Sequence, residues 1–390
     1  MSSLSAFFLL ALCGTIGYSL FSALLVLRFK QKHRSEHEWN KAISISVLRP
    51  LRGGNEESYS ILASLYQQTS LPSQVYYGVD EANDPILSVV NRLERDFPET
   101  PTKVFIGEKS VGSNRKIAKL SVMSEGCTTT LVAAIDQDIV MPQNHLRKVI
   151  NPFLDPNVGL VTSLYRLGEP NTIGSALELL SVHADFVPSV LIAEQLEGGL
   201  HFAFGATLVF RREVLETIGG FKKVRDCLAD DHDLGLLVSQ AGYRVVLSDS
   251  IVEHHPGKLD FKGYWVREIR AARTHRICRP FGYALSLLTH GVPWILGLIL
   301  VSGFTPLVEG VVLVWGASRL AAVILSHRLL TEKKGAWWPL LLLPLHEVMR
   351  WVFWIVAFLG NKISWGGVAY QVRSDGTMKP EEDLTGPRSG

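Results

Sequence analysis

The chain is poor in cysteine and in net charge, and both shortages exclude classes of protein. Its four cysteines lie far apart, at Cys13, Cys127, Cys227 and Cys278. This spacing fits neither a disulfide framework nor a zinc site, so we expect a reducing, cytosolic setting for the middle of the chain. The formal net charge is only +2, and no global charge therefore points to nucleic acid as a partner.

Apolar residues are abundant, and they concentrate at the two ends of the chain. The mean hydropathy of +0.18 is high for a soluble protein. Residues 5–29 are apolar apart from Arg28 and are about long enough to span a bilayer. Basic residues follow this run instead of preceding it, which is typical of an uncleaved anchor rather than of a signal peptide. We predict an N-terminal transmembrane anchor at residues 1–29, followed by cytoplasmic chain.

The middle of the chain, from residue 43 to about 249, alternates strand-like with helix-like stretches. Short apolar runs predict strands at residues 44–48, 74–79, 102–106 and 131–135. Helical patterns separate these runs, as in a parallel, doubly wound sheet. Such sheets bind ligands at the carboxyl ends of their strands.

The strand at residues 131–135 runs directly into Asp136-Gln137-Asp138. Two carboxylates one residue apart at a strand end are well placed to hold a divalent cation, which in turn holds a diphosphate. The alternative is a strand end followed by an Asx turn, and the Asp-x-Asp pattern alone does not decide between them.

Further charged residues follow other predicted strand or helix ends. Asp84 comes after the second strand, and Asp230 and Asp231 open a predicted helix, where capping is the alternative role. Lys116 lies near the start of a helix with Ser113 or Asn114 as its N-cap, where it could contact phosphate.

The residues after the sheet region are basic and then apolar again. Residues 260–279 predict an amphipathic helix with arginines on one side, suited to lipid headgroups or phosphates. Residues 283–304 and 308–325 predict two membrane spans. Residues 337–359 are apolar but contain Pro344 and charged residues, so we expect a broken or re-entrant helix there. The polar tail that follows is expected to lack order beyond about residue 376.

This order of motifs resembles that of the lipid-directed and processive inverting glycosyltransferases of the GT-A fold, whose pattern is D, DxD, D and (Q/R)xxRW. It is similar in particular to the ceramide glucosyltransferase family, glycosyltransferase family 21, which includes bacterial members acting on sphingolipids and hopanoids. The resemblance is carried by residues 46–53, 83–85, 105–107, 112–116, 159–161, 229–231 and 363–365. One residue departs from the pattern, because Ala271 follows Arg270 where a tryptophan is expected.

The resemblance implies an α/β fold of the GT-A class, with a Rossmann-like, mostly parallel sheet in the cytosol. It implies the following division: residues 1–29 as anchor, 30–256 as glycosyltransferase domain, 257–281 as basic interfacial helix, 282–361 as C-terminal membrane region and 362–390 as cytosolic tail. The protein would then be a multi-pass membrane protein.

The resemblance also implies roles for the residues singled out above. The catalytic base would be Asp231, supported by Asp230, and Asp136 with Asp138 would hold Mg2+ or Mn2+. The remaining substrate-binding residues would be Arg49, Pro50, Asp84, Lys116, Gly205, Arg267 and Arg270. Gly205 enters because small residues in the strand-like stretch 202–210 let a ligand approach the backbone.

The function implied is transfer of a hexose from a UDP-sugar, by default UDP-glucose, to the hydroxyl of a membrane lipid such as ceramide. Within the class, the alternative is transfer of N-acetylglucosamine to a hopanoid polyol. A processive polysaccharide synthase is a third option, but it would need more spans. From another class, the alternative is a membrane transport component with a nucleotide-binding domain.

Overall fold

The structure is a computed structural model that describes residues 2–32, 43–55, 57–107, 112–331 and 335–381. The end of the predicted tail, residues 382–390, lies outside these ranges, as do residues 33–42 of the predicted glycosyltransferase domain.

The described residues form eleven strands in two sheets. The strands are β1 (Ile45–Pro50), β2 (Gln74–Val79), β3 (Thr102–Ile106), β4 (Leu131–Ala134), β5 (Ile139–Val140), β6 (Val158–Leu167), β7 (Leu208–Arg211), β8 (Arg244–His254), β9 (Lys362–Trp365), β10 (Val368–Val372) and β11 (Met378–Pro380).

The α-helices are α1 (Ser3–Lys32), α2 (Ser58–Ala63), α3 (Ile86–Asp96), α4 (Arg115–Glu125), α5 (His145–Ile150), α6 (Ile173–Leu180), α7 (Val187–Glu197), α8 (Arg212–Thr217), α9 (Asp230–Gln240), α10 (Phe261–Cys278), α11 (Pro280–Leu285), α12 (Gly291–Ser302), α13 (Pro306–Thr331) and α14 (Leu343–Phe358). A π-helical segment, Ser181–Phe186, joins α6 to α7. Short 3-10 helices lie at Asn151–Leu154, Phe221–Val224, Ser286–Thr289 and Trp338–Leu342.

The chain divides into two compact units. The sheet unit comprises Arg34–Gly168 and Ala193–Pro256. The apolar-helix unit comprises Met1–His33, Glu169–Ile192 and Gly257–Gly390.

The sheet unit is built on an eight-stranded sheet in the order β3-β2-β1-β4-β7-β6-β8-β5. Strand β1 pairs in parallel with β2 and β4, β2 with β3, and β6 with β8. This confirms the predicted α/β, mostly parallel architecture. Antiparallel neighbours occur at β7, which pairs with β4 and β6, and at β5, which pairs with β8.

Burial in the core of this sheet explains why β1 and β4 could be predicted from the sequence. Every residue of both strands is buried, as expected for central strands covered on both faces. The strand expected at residues 202–210 is shorter than predicted, because only Leu208–Arg211 pairs. Residues 202 and 203 instead run against α9, where a Cβ on Gly235 would lie 2.5 Å from the Ala203 nitrogen.

The apolar-helix unit contains most of the helices that could cross a membrane. Four stretches are long and apolar enough by length and composition: Ser3–Gln31, Ile173–Glu197, Pro306–Thr331 and Trp338–Phe358. The first and third match predicted spans in position. The second was not predicted as a span; it runs into the sheet unit, and 67% of its most apolar window is buried inside the structure.

Two of the apolar stretches differ from the expected shape. The stretch predicted as one span at residues 283–304 is a pair of helices bent by 54°, Pro280–Thr289 and Gly291–Ser302. The chain turns at His290, whose backbone is extended, and Gly291 passes the ring of Trp315 too closely for any side chain. Pro344 does not interrupt its stretch, since it lies in the first turn of α14, where proline is tolerated.

The C-terminal tail contains the second sheet, in the order β11-β10-β9. The prediction of no order beyond about residue 376 was therefore wrong for Met378–Pro380, which pairs with β10. Backbone hydrogen bonds between the strands and the buried side chains of Ile363, Tyr370 and Met378 stabilise this sheet. Neither contribution is apparent from the polar sequence.

Candidate functional site

A buried arginine stabilises the Asp136-Gln137-Asp138 turn by hydrogen bonds. Arg49 is fully buried, and its Nη2 donates to the carbonyl oxygens of Asp136 (2.8 Å) and Ile139 (3.0 Å). Pro50 ends β1 and is buried as well. The structure therefore places Arg49 and Pro50 inside the sheet. Arg49 fixes the turn that presents the two carboxylates.

The loop after β1 is tied to both neighbouring acidic sites. The Gln137 side chain accepts from the Arg52 nitrogen at 2.6 Å and donates to the Arg52 carbonyl at 3.2 Å. Asp84 accepts from the Gly53 nitrogen at 2.9 Å and from the Ile86 nitrogen at 3.0 Å. Asp84 thus orders the loop and the start of α3. Gln137 was missed by sequence reasoning, because its role depends on a loop that only the tertiary structure brings close.

The predicted residues Asp136, Asp230, Asp231, Lys116 and Gly205 come together, and we call them the acidic cluster. Lys116 Nζ lies 2.7 Å from Asp136 Oδ1 and 3.6 Å from Asp230 Oδ2. The Gly205 nitrogen donates to Asp231 Oδ2 at 2.7 Å. A Cβ on Gly205 would lie 3.0 Å from Lys116 Nζ and 3.2 Å from Asp136 Oδ2. Three segments far apart in sequence therefore converge on Gly205, which belongs to a fourth.

Charge repulsion and burial shift the pKa values of this cluster. Burial raises the pKa of Asp230 to about 6, although Lys116 opposes the rise and Asp231 adds to it. Burial also raises the pKa of Asp136, against the effect of Lys116. Burial alone would lower the pKa of Lys116, but Asp136 and Asp230 hold it above its usual value. The cluster carries more carboxylates than cations, so a further cation would be stabilised there.

Asn114 connects α4 to this cluster. Its side chain accepts from the Ile117 nitrogen at 3.1 Å, which confirms one of the two predicted N-caps. Its Nδ2 donates to Asp230 Oδ1 at 3.2 Å and to the Cys227 carbonyl at 3.1 Å. The N-cap therefore also orients Asp230. The sequence showed the capping role but gave no sign of the second.

Asp231 is oriented by two backbone donors. Its Oδ2 accepts from Gly205, and its Oδ1 accepts from the His232 nitrogen at 2.8 Å. Asp231 therefore has a fixed carboxylate at the first turn of α9. The capping alternative for Asp230 and Asp231 accounts for only part of this geometry, because Gly205 belongs to another segment.

Asp138 has a histidine neighbour that could share a metal ion. His254 Nε2 lies 3.1 Å from Asp138 Oδ2, and the His255 nitrogen donates to the Asp138 carbonyl at 2.8 Å. Carboxylate oxygens with an imidazole nitrogen suit Mn2+, and the oxygens suit Mg2+. Within the residues that the structure describes, no group of three or more His, Cys, Asp or Glu side chains is already arranged as a metal site. A metal here would take its other ligands from the diphosphate and from water.

The predicted diphosphate-binding arginines lie in the apolar-helix unit. Arg267 Nη1 contacts both carboxylate oxygens of Glu178, at 3.0 and 3.3 Å. Arg270 Cζ lies 5.8 Å from the ring centroid of Trp365. Both arginines therefore make contacts within their own unit that the sequence did not predict.

The fold is that of the GT-A glycosyltransferases. A mannosyltransferase from Pyrobaculum calidifontis, solved in complex with GDP-mannose and Mn2+, has a similar structure. The TM-score is 0.52 with 19% sequence identity, covering 91% of this chain and 98% of the other.

The chain belongs to glycosyl transferase family 21, whose family model matches residues 7–378. Two ceramide glucosyltransferases of Caenorhabditis elegans are relatives. Number 3 is 20% identical over 72% of this chain, and number 1 is 22% identical over 63% of it. The matches span only 60% and 53% of the lengths of these two relatives.

Proposed function

We propose that this protein transfers a hexose from a UDP-sugar, UDP-glucose by family resemblance, to the hydroxyl of a membrane lipid such as ceramide. The observation that carries the proposal is the acidic cluster around Gly205, in which a fixed carboxylate lies beside the Asp-x-Asp turn. Family membership and the ceramide glucosyltransferase relatives support the choice of substrates. The family gives no support to the alternative of a transport component.

Asp231 acts as the general base in this proposal. It removes the proton from the acceptor hydroxyl, whose oxygen forms a bond to the anomeric carbon of the sugar. The bond from that carbon to the diphosphate breaks on the opposite face, and its electron pair leaves with the nucleotide diphosphate. The configuration at the carbon is therefore inverted. The two backbone donors hold Asp231 in one orientation, and Asp230 supports it from the same helical turn.

Asp136 and Asp138 hold Mg2+ or Mn2+ in this proposal, with His254 beside Asp138. When bound, the ion neutralises charge on the diphosphate and makes it a better leaving group. Lys116 is placed to contribute positive charge next to Asp136, and Asp84 orders the loop near the nucleotide.

Arg267 and Arg270 bind the diphosphate in this proposal. A guanidinium has five N–H donors, so Arg267 retains donors for phosphate while Nη1 contacts Glu178. We also propose that the protein is a multi-pass membrane protein with its catalytic domain in the cytoplasm, in keeping with its apolar helices and with the basic residues that follow α1.

The deciding experiment is incubation of membranes containing the protein with labelled UDP-glucose and, separately, UDP-N-acetylglucosamine, followed by mass analysis of extracted lipids. The expected product is a hexosylceramide formed from UDP-glucose. A hopanoid carrying N-acetylglucosamine would favour the alternative acceptor and donor. No labelled lipid from either donor would refute the proposal.

Asp231→Asn tests the base within the same assay. The amide cannot accept the proton, so we expect turnover to fall by about 100-fold to 10,000-fold, the usual contribution of general base catalysis. Asp249→Asn is the matched control, since Asp249 lies in the same unit and pairs with Lys148. Normal turnover by Asp231→Asn would show that another group is the base.

A further inference from the structure

The C-terminal sheet contacts the arginine-bearing side of α10. Arg273 Nη1 donates to the Lys362 carbonyl, and Arg276 Nη2 donates to the Asn361 side chain. Together with Arg270, these arginines are spaced three residues apart and so lie along one side of the helix. The sequence pattern suggested that this side serves lipid headgroups or phosphates, whereas two of the three arginines hold the chain that leads into β9.

A tight turn places Trp365 at the end of β9. Gly366 and Gly367 form the two-residue connection to β10, with φ values of 57° and 81°. Positive φ at both positions is the requirement of a type I′ hairpin, and glycine meets it without strain. Trp365 pairs with Val368 and shares a face of β9 with the buried Ile363. The indole position is therefore fixed by the hairpin register.

The indole of Trp365 lies over the third of these arginines. Arg270 Cζ is 5.8 Å from the ring centroid, within the range of a cation–π contact. Residue 271, where the resemblance leads one to expect a tryptophan, is alanine. Strand β9 thus provides the aromatic neighbour of Arg270, although it lies far along the chain. This contact gives the stretch Ile363-Ser364-Trp365 a role beside Arg270.

We propose that Trp365 is a positioning residue for Arg270. The indole face restricts the orientations that the guanidinium can adopt, and less conformational freedom is then lost when the donor binds. The proposal rests on the proposed function, in which Arg270 binds the diphosphate. Removal of the ring should therefore weaken donor binding more than it slows the chemical step.

The test compares Trp365→Leu and Trp365→Phe with Ser364→Ala, a control at the adjacent exposed residue. Trp365→Leu should raise the KM for the UDP-sugar by about two-fold to thirty-fold, the range of a cation–π contact, with a smaller change in kcat. Trp365→Phe keeps an aromatic face and should recover most of this loss. Ser364→Ala should behave as the unchanged enzyme.

A double-mutant cycle with Arg270→Ala separates positioning from a general structural effect. When Arg270 is absent, replacement of Trp365 should add little to the donor KM. An equal rise in KM with and without Arg270, or no rise at all, would overturn the proposal. If Trp365→Leu does not fold, the same cycle run with Trp365→Met, which also lacks an aromatic face, must show an effect that depends on Arg270.

The proposed function can fail separately. If the unchanged enzyme transfers no sugar from either donor, the function is refuted. The contact between Trp365 and Arg270 is then tested by measuring the affinity of the protein for UDP alone. Trp365→Leu should weaken that affinity by the same factor, and an unchanged affinity would refute the positioning role.

Discussion

Gly205→Ala is the sharpest single test of the acidic cluster. The added methyl carbon would lie 3.0 Å from Lys116 Nζ, 3.2 Å from Asp136 Oδ2 and 3.4 Å from Asp231 Oδ2. The shortest of these distances requires a neighbour to move by a few tenths of an ångström. The end of the Lys116 side chain can do so, because it is long and flexible. The fold should therefore accept the methyl, while the geometry of the cluster should not.

The expected loss follows from the size of that displacement. A misplacement of about 1 Å costs an enzyme about 100-fold in rate. A smaller shift of Lys116 away from Asp136 should reduce kcat/KM by about 10-fold to 100-fold, which corresponds to about 1.4 to 2.7 kcal/mol. The free energy of unfolding should change by less than about 1 kcal/mol. Sugar transfer and thermal unfolding measured on the same preparation give both numbers.

Gly126→Ala is the matched control for this substitution. A Cβ on Gly126, in the same unit, would have ordinary contacts, the nearest at 3.5 Å from the Tyr76 ring. We expect this variant to retain full activity. If Gly205→Ala keeps its activity within two-fold of the unchanged enzyme, the close approach at Gly205 has no catalytic consequence, and the reasoning fails.

Three further predictions concern stability and the metal. Arg319 is buried in α13 between Asp185 (2.7 Å) and Glu347 (2.8 Å), so Arg319→Met should cost about 3 to 5 kcal/mol of unfolding free energy in micelles. Arg328→Met, at an exposed position of the same helix, is the control. An equal loss of unfolding free energy in both variants would contradict a specific contribution of the buried Arg319. Burial lowers the pKa of His145 to about 3. Below about pH 6.5 the imidazole is therefore protonated in the unfolded chain but not in the folded one, and the free energy of unfolding should fall by about 2 kcal/mol from pH 7 to pH 5. His145→Gln should flatten this pH dependence. An unchanged pH dependence in that variant would exclude His145 as its cause. Chelation with EDTA should abolish sugar transfer and added Mn2+ or Mg2+ should restore it, whereas full activity in EDTA would exclude a metal at Asp136 and Asp138.

The strands that were predicted well are those that can be recognised from their own sequence, without knowledge of their partners in the fold. Gln74–Val79 was predicted to the residue, because a buried parallel strand is a short apolar run between turn residues. Thr102–Ile106 was also predicted to the residue, although it is an edge strand whose residues are only partly buried or exposed. The convergence of Asp136, Asp231 and Lys116 could be expected only through family resemblance. Spacing along the chain does not say that Gly205 lies among them.

The features that were missed depend on partners distant in sequence. The π-helical segment Ser181–Phe186 has helical sequence on both sides, and nothing local distinguishes it from α-helix. Its carbonyls are bound from α13, where Ser326 donates to the His183 carbonyl and Arg319 to the Ala184 carbonyl at 3.0 Å. Burial of Arg49 was missed for a similar reason, since a charged side chain inside a sheet needs acceptors that only the fold provides.

The two-part sheet unit has a consequence for how the protein can be made. The chain completes β1 to β6, then produces the apolar segment Glu169–Ile192, and only afterwards supplies β7 and β8. On the ribosome, six of the eight strands must therefore remain without β7 and β8 while this apolar helix emerges. A fragment that keeps the whole sheet also keeps this segment, whose Leu177 belongs to one buried apolar cluster with Met349 and Phe353 in the intact chain. Trimming both ends should thus yield an insoluble product, and a soluble catalytic fragment requires replacement of the internal segment by a polar linker.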